Sequence, residues 1–106
     1  MSSTGVVVAD VVGERVRQDA KWGPQNHPDC YDTHQYAIGS AQAYKDITDT
    51  RAQNGDVTYI DILLEEVAEA VEEAVAGQKS ALRTELVQVA AVAVAWVEKL
   101  DRESQE

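Results

Sequence analysis

Phenylalanine is absent from this chain, and its aromatic content is two Trp and four Tyr. The Ala, Val, Glu and Gln content suits helices packed through small side chains, with Tyr36, Tyr44 and Tyr59 most simply read as core aromatics and Trp96 as core or interface. Cysteine occurs once, at Cys30, which excludes an internal disulfide and suits a reducing compartment. Cations are also scarce: nine Lys and Arg stand against 19 Asp and Glu, a net charge of −10. That balance lacks the basic footprint that a phosphate backbone requires, so a nucleic-acid polymer is not the expected partner. A small polyphosphate stays compatible, provided divalent cations bridge its charge to the acids.

Long apolar runs are missing too. The longest nearly apolar stretch, Leu86 to Val97, is interrupted by Gln88 and falls short of the roughly 20 residues that a bilayer demands. No charged, apolar and small-residue succession opens the chain, so no signal peptide is expected. These features predict a soluble, cytoplasmic protein with no membrane partner. At 106 residues a single domain spanning 1–106 is expected, able to bury roughly two-thirds of its unfolded surface.

Taken in order, residues 1–5 read as a loose start. The segment VVVADVVGERVRQDAKW admits two readings, because its valines favour a strand while Val8, Val12, Val16 and Ala20 recur at helical spacing. Helix is the choice here, since a lone strand would lack a partner. Trp22 to Asp32, which holds both prolines, reads as a loop. Asp32 or Thr33 is then expected to cap a second helix reaching about Gln53, with Ala37, Ala41, Tyr44 and Thr48 on one face. Gly39, Ser40, Ala41 and Ala43 would allow a neighbouring helix to come close.

Asn54, Gly55 and Asp56 break the chain, and Thr58 with Asp61 resembles a capping box. A third helix would present Ile60, Leu64, Val67, Val71 and Ala74 or Val75 to a core and stop at Gly77. Ser80 is expected to cap a fourth, running to about Arg102, with residues 103–106 loose. Four helices with short connections predict an all-α four-helix bundle. The fourth is apolar on every side from Leu86 to Val97 except at Gln88, which predicts burial by further subunits in a homo-oligomer, dimer or tetramer.

The acids of the third helix are the candidate chemistry. Glu65, Glu66 and Glu69 project from one sector, and Glu72 and Glu73 extend the stripe. Taken alone, such a stripe is most simply a solvated face. Like charges at these spacings repel by a few tenths of a kcal/mol per pair, however, and no Lys or Arg lies between Asp61 and Gln78 to offset them. Glu85, with Gln88 three residues on, borders the apolar run and needs a partner or a cation, because burying a lone carboxylate costs several kcal/mol. Mg²⁺ takes oxygen ligands and suits a cluster drawn from two facing helices.

Glu66-x-x-Glu69, fifteen residues, then Glu85-x-x-Gln88 resembles the two-part acidic signature of the MazG-like all-α NTP pyrophosphohydrolases, in which Glu-x-x-Glu is followed by Glu-x-x-Asp. ERVRQDAKWGPQNHPD and ELVQVAAVAVAWVEKL are similar to stretches of small single-domain members, so the resemblance covers most of the chain. It implies a Mg²⁺-dependent enzyme, with Mn²⁺ as the alternative ion. Such an enzyme cleaves a (d)NTP between the α and β phosphates, in house-cleaning or nucleotide-pool control. It also implies Glu66, Glu69 and Glu85 as metal ligands, Glu66 or Glu69 acting on the attacking water, and a substrate pocket at Lys21 and Trp22.

Gln88 departs from the family pattern. Either its carbonyl is a neutral ligand, or Glu65 or Glu73 restores the charge, or the site is degraded; the first two are favoured because the three Glu are present. Trp22 could stack on a base with Lys21 on a phosphate, and Asn26 and His27 could bond a base edge; otherwise Trp22 packs on the bundle and the loop polars meet water. His27, Cys30 and His34 invite a zinc reading, which the lack of a fourth Cys or His disfavours. The competing functions are a catalytically weak nucleotide-binding or protein-interaction module and a plain acidic bundle.

Overall fold

The computed structural model describes residues 2–104. They form four α-helices and no strand: α1 (Ser3–Trp22), α2 (Ala41–Asn54), α3 (Tyr59–Val75) and α4 (Lys79–Ser104). The all-α expectation holds. Two compact units make up the chain, one containing the described residues up to Pro28 and from Val94 onward, the other spanning Asp29–Ala93.

In the first unit, the valine-rich start is helical, and the helix begins earlier than expected. Ser2 accepts a hydrogen bond from the Gly5 N–H at 3.1 Å, so residues 3–5, expected to be loose, form a capped first turn. Val7 is buried at 2% exposure, whereas Val8, Val12, Val16 and Ala20, whose spacing marked the helix, are all exposed. The Thr4 hydroxyl donates to the Glu98 carboxylate. Gly23, at φ 70°, ends α1, and its N–H returns to Asp19 O. At the other terminus Glu103 and Ser104, also expected to be loose, are helical; residues 105 and 106 lie outside the described part.

The second unit corrects the expected start of α2. Residues 33–40 are not helical, and Ser40 rather than Asp32 or Thr33 is the cap, accepting from the Ala43 N–H at 3.1 Å. The preceding segment is held otherwise: the Tyr36 hydroxyl accepts from the Tyr31 N–H, and the Tyr44 hydroxyl from the Gly39 N–H. Gly39 therefore faces the Tyr44 ring, where an added Cβ would lie 3.3 Å from Cε2, and does not serve a helix–helix approach.

The capping box at the start of α3 is present as read, with Thr58 and Asp61 each accepting from the other's backbone N–H. Asp61 is 6% exposed and also pairs with Arg51, while Thr48 of α2 donates to the Asp61 carbonyl. This polar junction joins α2 to α3, which pack together.

The core face of α3 differs from the expectation. Ala68 and Ala70 are buried, whereas Ile60 is 56% and Val75 61% exposed. Val67, Ala70, Val71 and Ala74 instead line an unfilled apolar cleft of about 280 Å³ with Leu82, Leu86 and Val89 of α4. Small and β-branched side chains on α3 leave that space open.

Gly77 closes the turn at φ 72° as expected. Ser80, read as a cap, is already inside α4, which starts at Lys79. No residue of α4 is buried, and this 26-residue helix is long and apolar enough by composition to cross a membrane. The count of uninterrupted apolar residues did not anticipate that, because the helix extends the run past Arg83 and Glu85.

Candidate metal centre

Glu66 and Glu69 stand one turn apart on α3, and Glu85 reaches them from α4, so that one ligand oxygen from each lies within 4.8 Å of the others. The local sequence explains the meeting. A three-residue spacing stacks the two α3 acids on one face, and the turn through Gly77 brings α4 beside them. Lys79, the first residue of α4, pairs with Asp29, and Cys30 Sγ donates to the Ala74 carbonyl at 3.4 Å. Both contacts fasten the preceding loop to this turn.

The three carboxyls are partly buried, and among the described residues no ion pair reaches them. Burial is the main reason that the Glu66 pKa is raised, followed by the charge of Glu85. At Glu69, burial, a hydrogen bond with Glu85 and the charges of Glu66, Glu85 and Glu65 push it up to about 7. At neutral pH the ion-free cluster therefore retains a proton for much of the time.

Gln88 lies one turn beyond Glu85. Its surroundings fix the amide orientation: with Nε2 toward the acids it donates to Glu66 Oε2 at 2.8 Å and Glu85 Oε2 at 3.1 Å. The reverse orientation would set its oxygen against both carboxylates.

Glu65 is outside the triad, although its charge contributes to raising Glu66 and Glu69. Lys45 is held first by Asp49, at 3.0 Å, and also feels Glu65. The stripe thus has a neighbouring cation on α2, which a search for Lys and Arg within the third helix could not reveal. Glu72 faces elsewhere and accepts from the Ala41 N–H.

Lys21, Trp22, Asn26 and His27 all line one cleft of about 800 Å³ in the first unit. Lys21 Nζ lies 4.7 Å from the centroid of the Trp22 ring, which is 66% exposed. Glu14, Arg17 and Gln18 line the same cleft. Arg17 and Gln18 stand three and four residues after Glu14 and four and three before Lys21, the spacing of one helix face. His34, part of the zinc reading, instead lies against Tyr31 and Tyr36 with its ring tilted by 53° to each, at centroid distances of 5.0 and 6.4 Å.

No protein-family model, curated protein or solved structure matches the chain. The donor set itself indicates which ions would suit it. Three carboxylates without a thiolate or imidazole are hard oxygen ligands, which suit Mg²⁺ or Mn²⁺ rather than zinc.

Proposed function

We propose that this chain is a Mg²⁺-dependent nucleoside triphosphate pyrophosphohydrolase of the MazG-like, all-α kind, releasing a (d)NMP and pyrophosphate. The observation that supports this most is the convergence of Glu66, Glu69 and Glu85 from two helices, the residues that the sequence resemblance implies. They would hold the ion. When bound, a divalent ion there supplies charge neutralisation for the polyphosphate and polarises its oxygens.

The protein's own contribution is proton management. In the ion-free cluster the Glu69 pKa is pushed up to about 7, and that of Glu66 is also raised; ion binding would lower this proton affinity, so whichever of Glu66 and Glu69 keeps an oxygen free of the ion would be the general base. That residue takes a proton from water as the water oxygen bonds to the α phosphorus and the bond to the bridging oxygen breaks, the electron pair leaving with pyrophosphate. In the first unit, the exposed Trp22 ring and Lys21 offer a stacking face and a cation to a nucleotide.

The working form is proposed to be a homo-oligomer, dimer or tetramer, in the cytoplasm. Leu86 and Val87 of α4 are 51% and 54% exposed, and a second copy would cover them. A bilayer suits α4 less well, because Arg83, Glu85 and Gln88 interrupt it.

Pyrophosphate release from a panel of NTPs and dNTPs, with and without Mg²⁺ and repeated with Glu69→Gln, tests the activity. Nucleotide binding without turnover would favour a weak binding module instead. Neither binding nor turnover would leave a plain acidic bundle.

A further inference from the structure

We infer that Gln88 is a positioning residue that acts as an internal stand-in for the cation, holding the acids together when no ion is bound and competing with the ion for two of their oxygens. The inference rests on the metal reading above and concerns how that centre is regulated.

With the amide assigned so that Nε2 faces the acids, its two N–H groups go to two different carboxylates, at 2.8 Å to Glu66 Oε2 and 3.1 Å to Glu85 Oε2. A bridging cation would take the same kind of position between α3 and α4. No Lys or Arg among the described residues pairs with either acid, so the amide adds N–H donors to the one carboxyl proton that the acids share. An amide carries no net charge, and its hydrogen bonds to carboxylates can be given up when a full cation arrives. Gln88 is itself exposed, which leaves its side chain room to swing away.

This assigns Gln88 a different role from that of a neutral metal ligand. A ligand must turn its oxygen inward, whereas hydrogen bonding to the two ion-free carboxylates requires the nitrogen on that side. An aspartate at this position would reverse both effects, repelling its neighbours without an ion and adding a ligand with one.

The test uses the whole chain, with Gln88→Met, which keeps the side-chain length and removes both donors. Gln88→Ala serves as a second variant on the same exposed surface. Thermal melts in EDTA and calorimetric titration with Mn²⁺ at pH 8 are compared with the unmodified chain, and Glu69→Gln is the control for the metal reading.

The expected result is an EDTA Tm lower by about 4–8 °C, together with Mn²⁺ affinity tighter by up to about tenfold; an unchanged affinity would overturn the competition. An EDTA melt identical to that of the unmodified chain in both variants would overturn the inference. So would a Mn²⁺ affinity weakened more than about threefold, since that would make Gln88 a ligand. If the unmodified chain binds no Mn²⁺, or Glu69→Gln binds it equally well, the metal reading fails, and the EDTA melts still decide whether Gln88 ties the acids together.

Discussion

The carboxylate of Glu72 accepts a hydrogen bond from the backbone N–H of Ala41 at 3.0 Å, so an acid of α3 satisfies the first turn of α2. A negative charge here also complements the positive end of the α2 dipole. Glu72 thereby leaves the row of acids that the sequence presents as one stripe and becomes part of the scaffold. Glu72→Ala is expected to cost about 0.5–1 kcal/mol by chemical denaturation and to leave Mn²⁺ affinity unchanged.

Asp61 and Glu69 give the stability profile two limbs of opposite sign. For Asp61, burial favours the neutral form, but the hydrogen bonds from Thr58 and the Arg51 guanidinium outweigh it and hold its pKa below 3.8. Its contribution is present above that value and lost as pH falls through the folded pKa. Glu69 is raised from 4.5 to about 7, so its contribution is present below 4.5 and lost as pH rises through about 7. Melts in EDTA should therefore show Tm declining from pH 5 to pH 8. Asp61→Asn should lower Tm and flatten the acid limb, and Glu69→Gln should flatten the neutral one.

Mg²⁺ binding should release a proton near neutrality, because the proton held at Glu69 must leave when the carboxylate takes an ion. Affinity measured by calorimetry is expected to rise by up to about tenfold per pH unit below 7 and to level off above it. Titration in buffers of different ionisation enthalpy reads the proton directly. A pH-independent affinity with no buffer dependence would separate the ion from Glu69.

Catalysis should respond to Glu69 more steeply than folding does. Glu69→Gln is expected to reduce pyrophosphate release by at least about 100-fold while Tm in EDTA stays equal or rises, since a repelling charge has been removed.

The exposed apolar face of α4 predicts assembly. Leu86→Asp is expected to shift size-exclusion elution with light scattering from an oligomer to a single chain. A single chain before substitution would refute the assembly.

Helix content was legible in the sequence because periodicity, Thr58, Asp61 and Gly77 are local signals. The start of α2 was not, since Ser40 competes with Asp32 and Thr33 on equal terms until Glu72 and the ring of Tyr44 enter from elsewhere. Burial was the poorest guide. Ile60 and Val75 have apolar spacing, but α2 and α4 do not cover them, and alanines took the interior. The acids of the candidate site could be located from their spacing. What Gln88 does could not, because a spacing says nothing about which end of an amide turns inward.

The turn through Gly77 sets where Glu85 and Gln88 arrive relative to Glu66 and Glu69, so the centre depends on phase as well as on composition. One residue inserted into α4 between Ala81 and Leu82 would rotate everything after it by about 100° and advance it by about 1.5 Å. Every acid would still be present and the helix would still form, but Glu85 would point away from its partners. If the proposed centre holds an ion, the length of chain between Glu69 and Glu85 matters to it as much as the carboxylates themselves.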